Sequence, residues 1–192
     1  MMAGLADPVL GSQRIFRAVL DAMSHPGRVV SVEPPSETPE PLRRATASVC
    51  LALADVETPL WLDAAARHPA VIDYLRFHCG CPVTSEPRAA RFGVIADPGR
   101  MPTLEAFDAG SDEYPDRSAT VIIQVESFAE GSGRRLAGPG IADEALIEAR
   151  GLPDRFWEAV RANRALFPRG VDLILAAQDA IVGLPRSTRV SG

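Results

Sequence analysis

The sequence predicts a three-layer α/β fold in which a mixed β-sheet is flanked by helices. Segments with helical and strand-like patterns alternate through the middle third of the chain, which is typical of this class. Residues 118–125 form the strongest predicted strand, and their nearly continuous apolar character indicates a central strand covered on both faces. The 192 residues, 46% of them hydrophobic and 23% charged, are expected to form a single domain, 1–192.

The first third of the chain is predicted to contain one helix and one short strand. Residues 1–10 are expected to form a loose N-terminal arm, after which Ser12 can cap the helix. Apolar residues recur at helical spacing in this helix: Ile15, Phe16, Val19, Leu20 and Met23. Pro26 and Gly27 end the helix, residues 28–32 are predicted as a strand, and four prolines among residues 33–41 indicate a loop.

Two further helices and two strands are predicted in the middle of the chain. Residues 42–56, rich in Ala and Leu, indicate a mostly buried helix that leads into a strand at 59–62. Asp63 is expected to act as a cap for the next helix, which ends at Gly80. The apolar residues of that helix are Val71, Ile72, Leu75 and Phe77. Residues 92–96 follow as a strand that ends in the turn Asp97-Pro98-Gly99.

The last third of the chain supplies the remaining strands. A polar loop over 106–117 precedes the central strand, and residues 135–137 and 144–150 are predicted as a weaker strand pair. After a helix over 154–166, residues 172–176 and 180–184 complete the sheet. Gln178 and Asp179 are predicted to join these two strands as a hairpin or short turn.

Composition and charge exclude several classes of function. The net charge of -5 and the isoelectric point near 5.2 argue against nucleic acid as a partner. No run approaches the ~20 apolar residues that span a bilayer, and no signal-peptide pattern opens the chain. We therefore expect a cytoplasmic protein without a membrane partner. The cysteines, Cys50, Cys79 and Cys81, fit a reduced compartment better than a disulfide framework.

The chain contains no lysine, because all 20 of its Lys and Arg residues are arginine. A pyridoxal phosphate enzyme needs a lysine amine for its Schiff base, and a Walker-type phosphate loop needs one for the β- and γ-phosphates. Neither site can be assembled from this chain. We therefore expect no cofactor.

Three motifs invite a chemical interpretation, and each also has a structural one. The sequence His78-Cys79-Gly80-Cys81 offers zinc-type ligands, but a second ligand pair is missing, so packing at a helix end is favoured. His25 is placed to interact with the carbonyl dipoles at a helix end, and no nucleophile elbow accompanies it. Gly138-Pro139-Gly140 could approach a phosphate, but Pro139 donates no N–H, so a tight turn is favoured.

Three arginines near the end of the chain form the most suggestive polar set: Arg169, Arg186 and Arg189. Planar guanidinium groups suit carboxylate or phosphate partners. Two interpretations remain open. The arginines form ion pairs within the protein or with a partner subunit, or they bind a small anion.

Both ends of the chain closely resemble the H subunit of the bacterial carbon–phosphorus lyase system, which takes part in phosphonate catabolism. The resemblance extends over nearly the full length, in order. The residues that carry it are Ala6-Asp7-Pro8, 13–23, Pro26-Gly27, 51–62, Gly138-Pro139-Gly140-Ile141 and 151–190.

This resemblance implies an accessory, non-catalytic subunit of a cytoplasmic complex with G, I and J subunits. In that system, transfer of ribose 5-triphosphate from ATP to a phosphonate precedes cleavage of the carbon–phosphorus bond. The resemblance also implies a homodimer in isolation and a fold like that of pyridoxal-phosphate-dependent transferases without the cofactor. It supplies no catalytic, cofactor-binding or metal-binding residues to transfer. The alternative is a nucleotide- or phosphonate-binding transferase subunit with an anion site at Arg169, Arg186 and Arg189.

Overall fold

The computed structural model of the protein describes residues 2–192. Its helices are α1 (Pro8–Ser24), α2 (Arg44–Leu53), α3 (Pro69–Cys79) and α4 (Phe156–Ala165). Its strands are β1 (Val30–Ser31), β2 (Leu60–Leu62), β3 (Val83–Thr84), β4 (Phe92–Ile95), β5 (Thr120–Gln124), β6 (Ser127–Ala137), β7 (Ala145–Arg150), β8 (Asp172–Ala177), β9 (Ala180–Leu184) and β10 (Arg189–Ser191). Short 3-10 turns lie at Pro87–Ala89, Pro98–Arg100, Leu104–Ala106 and Pro115–Arg117.

The larger sheet is mixed, as predicted, and its strand order is β1-β9-β8-β5-β4-β2-β3. The five strands from β8 to β3 are parallel, whereas β1 and β9 run antiparallel to their neighbours. The strand β5 lies in the centre, paired with β4 on one side and β8 on the other. The β8–β9 hairpin is also confirmed, with Gln178 at a φ of 50° in its turn.

Each face of this sheet carries its own hydrophobic cluster, because successive side chains of a strand point to opposite faces. Ile122 and Ile174 belong to the cluster under helices α1, α2 and α3. Val121, Ile123 and Leu173 belong to the opposite cluster, which α4 and the smaller sheet cover. The central strand is therefore buried on both faces, as its apolar run predicts.

The smaller sheet, in the order β10-β6-β7, was missed by the sequence analysis. The segments at 135–137 and 144–150 do pair, but in this second sheet and not in the large one. The strand β6 also begins earlier than predicted, at Ser127. Gly131 and Gly133 weaken its strand pattern, and they lie where the register shifts between Glu130 and Arg134.

The first helix begins before the predicted cap. Asp7, not Ser12, is the N-cap, and its Oδ1 accepts hydrogen bonds from the backbone N–H groups of Val9 (3.0 Å) and Leu10 (2.9 Å). Pro8 occupies the first turn, where its missing N–H costs nothing. Residues 8–10, expected in a loose arm, are therefore helical, and Met1 lies outside the described residues.

The cap of the third helix also differs from the prediction. His68 is its N-cap, and its Nδ1 accepts from the N–H of Ala70 at 3.3 Å. Asp63 lies five residues before this cap, and its side chain accepts hydrogen bonds in the loops described below. The predicted end at Gly80 is confirmed, because Gly80 adopts the left-handed conformation of a C-cap. Within residues 2–192, no helix combines the length and hydropathy required to cross a membrane.

Candidate functional site

Arg186 is enclosed by the fold, with 14% of its side chain exposed. Its guanidinium donates to both carboxylate oxygens of Asp172, with Nε 3.1 Å from Oδ1 and Nη2 2.6 Å from Oδ2. Its Nη1 donates to the carbonyl oxygen of Pro115. This two-point geometry is that of a strong arginine–carboxylate pair, so the donors of Arg186 are committed inside the protein.

Arg169 forms a more exposed pair a few residues after α4. Its Nε lies 3.2 Å from Oδ1 of Asp112, and 44% of the arginine side chain is exposed. The next residue, Gly170, donates its N–H to the carbonyl of Ala109 at 2.9 Å. Arg169 and Arg186 therefore both contact the segment 109–117, which precedes the central strand β5.

Arg189 occupies a different position. It is exposed on β10, and its Cα partner in the smaller sheet is Ala137. Its side chain forms no ion pair within residues 2–192. The structure brings Arg169 and Arg186 to one loop, whereas Arg189 belongs to the other sheet.

The carboxyl ends of the parallel strands are the usual place for a ligand in an open α/β sheet. From β2 the chain passes through α3 to β3, which pairs with β2 at one edge of the sheet. From β4 it continues to β5, which pairs with β4 on the side away from β2. The connections on the two sides pack on opposite faces of the sheet: Leu75 of α3 on one face and Phe107 on the other. The point where the strand order reverses lies between β2 and β4.

Asp63 fills this point. Its side chain is buried, its Oδ1 accepts from the N–H of Ala66 at 2.7 Å, and its Oδ2 accepts from the N–H groups of Ala96 and Asp97, both at 2.9 Å. The carboxylate therefore joins the loop after β2 to the loop after β4. Three backbone N–H groups therefore use the Asp63 carboxylate as an acceptor.

A cavity of about 340 Å³ lies between α4 and the segment 101–109. Apolar side chains dominate its lining: Met101, Pro102, Leu104, Ala159, Ala162 and Leu166. Its charged residues are Glu105, Arg155 and Glu158, and Arg155 also donates to the carbonyl of Met101 at 3.3 Å. One cation beside two carboxylates does not complement a polyphosphate, whereas the apolar lining suits apolar side chains of a ligand or partner.

A second hollow, of about 310 Å³, lies where α1 ends against the turn between β6 and β7. His25 borders it, with Nδ1 3.0 Å from Oδ1 of Asp21 and 3.1 Å from the carbonyl oxygen of the same residue. Arg28 also pairs with Asp21, at 3.2 Å. The imidazole therefore lies at the carbonyl end of the helix, as predicted, and Gly140 lies in a tight turn beside it.

Other charged groups form exposed pairs at the surface. The Arg14 guanidinium beside Glu33 holds the pKa of that carboxyl below its usual range, and Arg150 does the same to the pKa of Glu148. Such exposed pairs contribute little to stability. Among residues 2–192, no group of three or more His, Cys, Asp and Glu side chains converges as a metal site would require.

Sequence reasoning missed both the cavity and the role of Asp63. A signal for the cavity was available in α4, where the small residues Ala159 and Ala162 lie on an otherwise polar surface of the helix. No signal in the sequence identified Asp63 as a bridge, because its partners in the second loop are backbone groups 33 and 34 residues away.

Comparisons with known proteins agree with the resemblance stated above. The profile of the family described as "Bacterial phosphonate metabolism protein (PhnH)" matches residues 3–191. A protein of Rhizobium meliloti (strain 1021) named alpha-D-ribose 1-methylphosphonate 5-triphosphate synthase subunit PhnH is 38% identical over 96% of this chain and 92% of its own length. The putative C-P lyase subunit protein HtxG of Stutzerimonas stutzeri is 38% identical over 93% of this chain and 85% of its own length.

The family profile covers nearly the whole chain, and both relatives are well above 30% identity across most of their lengths. The matched range includes both sheets and all the helices described above. The chain belongs to the PhnH family of bacterial phosphonate metabolism proteins.

Proposed function

We propose that the chain is an accessory, non-catalytic subunit of the carbon–phosphorus lyase complex in organic phosphonate catabolism. In this role it is required for the transfer of ribose 5-triphosphate from ATP to a phosphonate. The observation that carries the proposal is the 38% identity, over 96% of the chain, to a protein named as a subunit of alpha-D-ribose 1-methylphosphonate 5-triphosphate synthase.

The partners in this proposal are the G, I and J subunits, in the cytoplasm. Two surfaces support a role in assembly. The cavity beside α4 is lined mainly by apolar groups, and α1 exposes an apolar stripe formed by Val9, Phe16 and Leu20. These three residues lie on one face of the helix, away from its buried face. In isolation, we propose that the α1 stripe supports a homodimer.

The proposal includes a likeness to pyridoxal-phosphate-dependent transferases in fold but not in chemistry. The mixed, mainly parallel sheet covered on both faces is consistent with such a likeness. The absence of lysine from the sequence is incompatible with a Schiff base to the cofactor.

The alternative is a subunit that binds a nucleotide or a phosphonate through Arg169, Arg186 and Arg189. Arg169 and Arg189 are both exposed and so could meet an anion, but they lie on different parts of the fold, one beside residues 109–117 and the other on β10. The bidentate pair of Arg186 with Asp172 also disfavours this alternative, because an anion would have to displace a partly buried carboxylate.

Reconstitution with the neighbouring subunits tests the accessory role. We expect a tagged chain, co-expressed with the G, I and J subunits, to co-purify with them. Ribose 5-triphosphate transfer to methylphosphonate should require the chain in the mixture, while the purified chain alone should give no turnover. A complex that transfers at the full rate without the chain would overturn the proposal.

Isothermal titration with ATP and with methylphosphonate tests the alternative. Saturable binding by the purified chain, lost in Arg169→Ala and Arg189→Ala, would support an anion site. Both substitutions remove exposed side chains, so the variants should fold. The accessory role predicts no saturable binding of either ligand to the isolated chain.

A further inference from the structure

Two cysteines are held close together by the residue between them. Cys79 is the last residue of α3, Cys81 shortly precedes β3, and Gly80 separates them at φ 67° and ψ 5°. Gly80 is in the left-handed region, where the backbone is about as compact as in an α-helix, so we expect the flanking Cα atoms to be about 5.4 Å apart. That separation lies inside the range of about 4.4–6.8 Å that a disulfide requires.

The sulfur atoms in this region differ in their access to solvent. Cys79 is partly exposed, whereas Cys50 and Cys81 are each 1% exposed. The Sγ of Cys79 lies 3.6 Å from the carbonyl oxygen of Cys50, and the Sγ of Cys81 lies 3.9 Å from that of Leu75. Cys79 is therefore the more accessible of the two neighbouring residues.

The two neighbouring thiols also differ in ionisation. Interaction between the two side chains lowers the pKa of Cys81 and, together with burial, raises the pKa of Cys79. Burial raises the pKa of Cys50 to about 12, and this third residue is 1% exposed, so a reagent in solution does not reach it.

We propose that Cys79 and Cys81 form a dithiol site that reacts with low-molecular-weight disulfides, such as glutathione disulfide, and closes to an intramolecular disulfide. Cys79 is the attacking residue because it is the more accessible, and Cys81 is the resolving residue because it is buried and only one residue away. The site is independent of the function proposed above, since it needs no other subunit.

The reaction proceeds in two exchange steps. The Cys79 thiol releases its proton to solvent, and the resulting thiolate attacks one sulfur of the disulfide and breaks the S–S bond. One glutathione thiolate leaves, and Cys79 carries the other glutathione. This first glutathione thiolate takes the proton of Cys81. The Cys81 sulfur then attacks the Cys79 sulfur and releases the second glutathione as a thiolate. Solvent protonates that thiolate. Two protein thiols are oxidised by two electrons, and one glutathione disulfide is reduced to two thiols.

Thiol counting on the intact protein tests the proposal. The fully reduced, full-length chain is incubated with mixtures of reduced and oxidised glutathione, quenched in acid, unfolded and tagged with a maleimide for mass spectrometry. We expect two of the three thiols to become protected together, without a retained glutathione, and peptide mapping to join Cys79 to Cys81.

Single substitutions separate the roles of the three cysteines. Cys81→Ser should stop at the mixed disulfide and retain one glutathione, Cys79→Ser should remain unmodified, and Cys50→Ala should close as the wild type does. Retention of glutathione by the wild type, a link from Cys79 to Cys50, or no reaction at all would overturn the proposal. Peptide mapping of the wild type decides the outcome even where a variant fails to fold.

Discussion

Arg186 and Asp172 join the chain after β9 to the start of β8 through two parallel hydrogen bonds, of 3.1 and 2.6 Å. A third bond runs from the backbone N–H of Arg186 to the same carboxylate, at 2.9 Å. Asp172 is the first residue of β8, so the pair fixes the chain that leads to β10 against the edge where the central strands begin. The most enclosed of the candidate arginines thus has a structural partner.

Removal of the Arg186 side chain should destabilise the protein substantially. Arg186→Ala leaves the partly buried carboxylate of Asp172 without its charged partner, and we expect a loss of about 2–3 kcal/mol in the free energy of unfolding. Urea denaturation followed by circular dichroism measures it. Arg169→Ala is the matched control, because its exposed pair with Asp112 should contribute less than about 1 kcal/mol. Equal losses in the two variants would contradict this interpretation.

Asp63→Asn should weaken the junction between β2 and β4. An amide has one acceptor oxygen, so the variant cannot accept from Ala66 on one side and from Ala96 and Asp97 on the other. We expect a loss on the order of 2–4 kcal/mol in the free energy of unfolding, measured by urea denaturation. Asp73→Asn, an exposed site on α3, should change this free energy by no more than about 0.5 kcal/mol. A stable Asp63→Asn variant would show that the bridge is dispensable.

Two glycines with similar backbone angles provide a test of the contact between α1 and the smaller sheet. Gly140 has a φ of 83°, and a β carbon there would overlap the carbonyl oxygen of Ser24. Gly131 has a φ of 75°, and a β carbon there would meet nothing within 4 Å. Gly131→Ala should therefore cost only the backbone strain, about 1–2 kcal/mol.

Gly140→Ala should cost more than Gly131→Ala, because the strain is the same but the end of α1 must also move away from the turn. Thermal unfolding followed by circular dichroism compares the two variants. A difference of several degrees in Tm is expected, since about 1 kcal/mol corresponds to roughly 2–4 °C in a protein of this size. Identical melting temperatures would mean that the turn accommodates the β carbon at residue 140 without a further loss of stability.

Stability should fall in alkaline solution through Cys50 and Tyr74. Burial raises the pKa of Cys50 from 9.0 to about 12 and that of Tyr74 from 10.0 to about 12. Below pH 9 both groups are protonated in the folded and unfolded states, so they add no pH dependence. From about pH 9 to about pH 12 the unfolded chain releases these protons first, and the free energy of unfolding falls.

The free energy of unfolding should fall by on the order of 1.4 kcal/mol per pH unit for each group. This slope applies where the group is ionised in the unfolded chain but still protonated in the folded protein. Urea denaturation with a reductant present, repeated at several alkaline pH values, measures it. Cys50→Ala and Tyr74→Phe should each reduce the slope, whatever their effect on stability at neutral pH. An unchanged slope in both variants would show that other groups control alkaline stability.

The exposed stripe on α1 should control self-association of the isolated chain. Phe16→Asp and Leu20→Asp place a charge on side chains that are 46% and 50% exposed, so the fold should be retained. We expect each substitution to raise the homodimer dissociation constant at least about tenfold, measured by sedimentation velocity. Val56→Asp is the control, because Val56 is 72% exposed but lies outside α1. An equal effect of Val56→Asp would exclude a specific role for the stripe.

Local sequence patterns predicted the elements whose signals lie within a few residues. The apolar run around Ile122 predicted the central strand, the spacing of Val71 and Leu75 predicted α3, and Gly80 marked its end. The β8–β9 hairpin was likewise predicted from its two-residue turn. Each of these signals is a period or a terminating residue, which operates without distant partners.

Elements that depend on distant partners were predicted poorly. The first half of β6 contains Gly131 and Gly133 and has little strand propensity, and pairing with β7 holds it in place. Ser12 was predicted as the cap of α1, whereas the structure uses Asp7, which the proline after it favours. The sequence also placed three arginines close together without indicating which carboxylates they meet.

Composition and local pattern by themselves determined the fold class, the central strand, the exclusion of lysine-dependent chemistry and the family resemblance of this protein. Only the tertiary structure decided that Arg186 is committed to Asp172, that Asp63 closes the reversal point of the sheet, and that a second sheet covers one face. The physical reason is that secondary-structure periodicity is encoded within a few residues, whereas hydrogen bonds and ion pairs are satisfied by whichever partners the folded chain brings within about 3 Å.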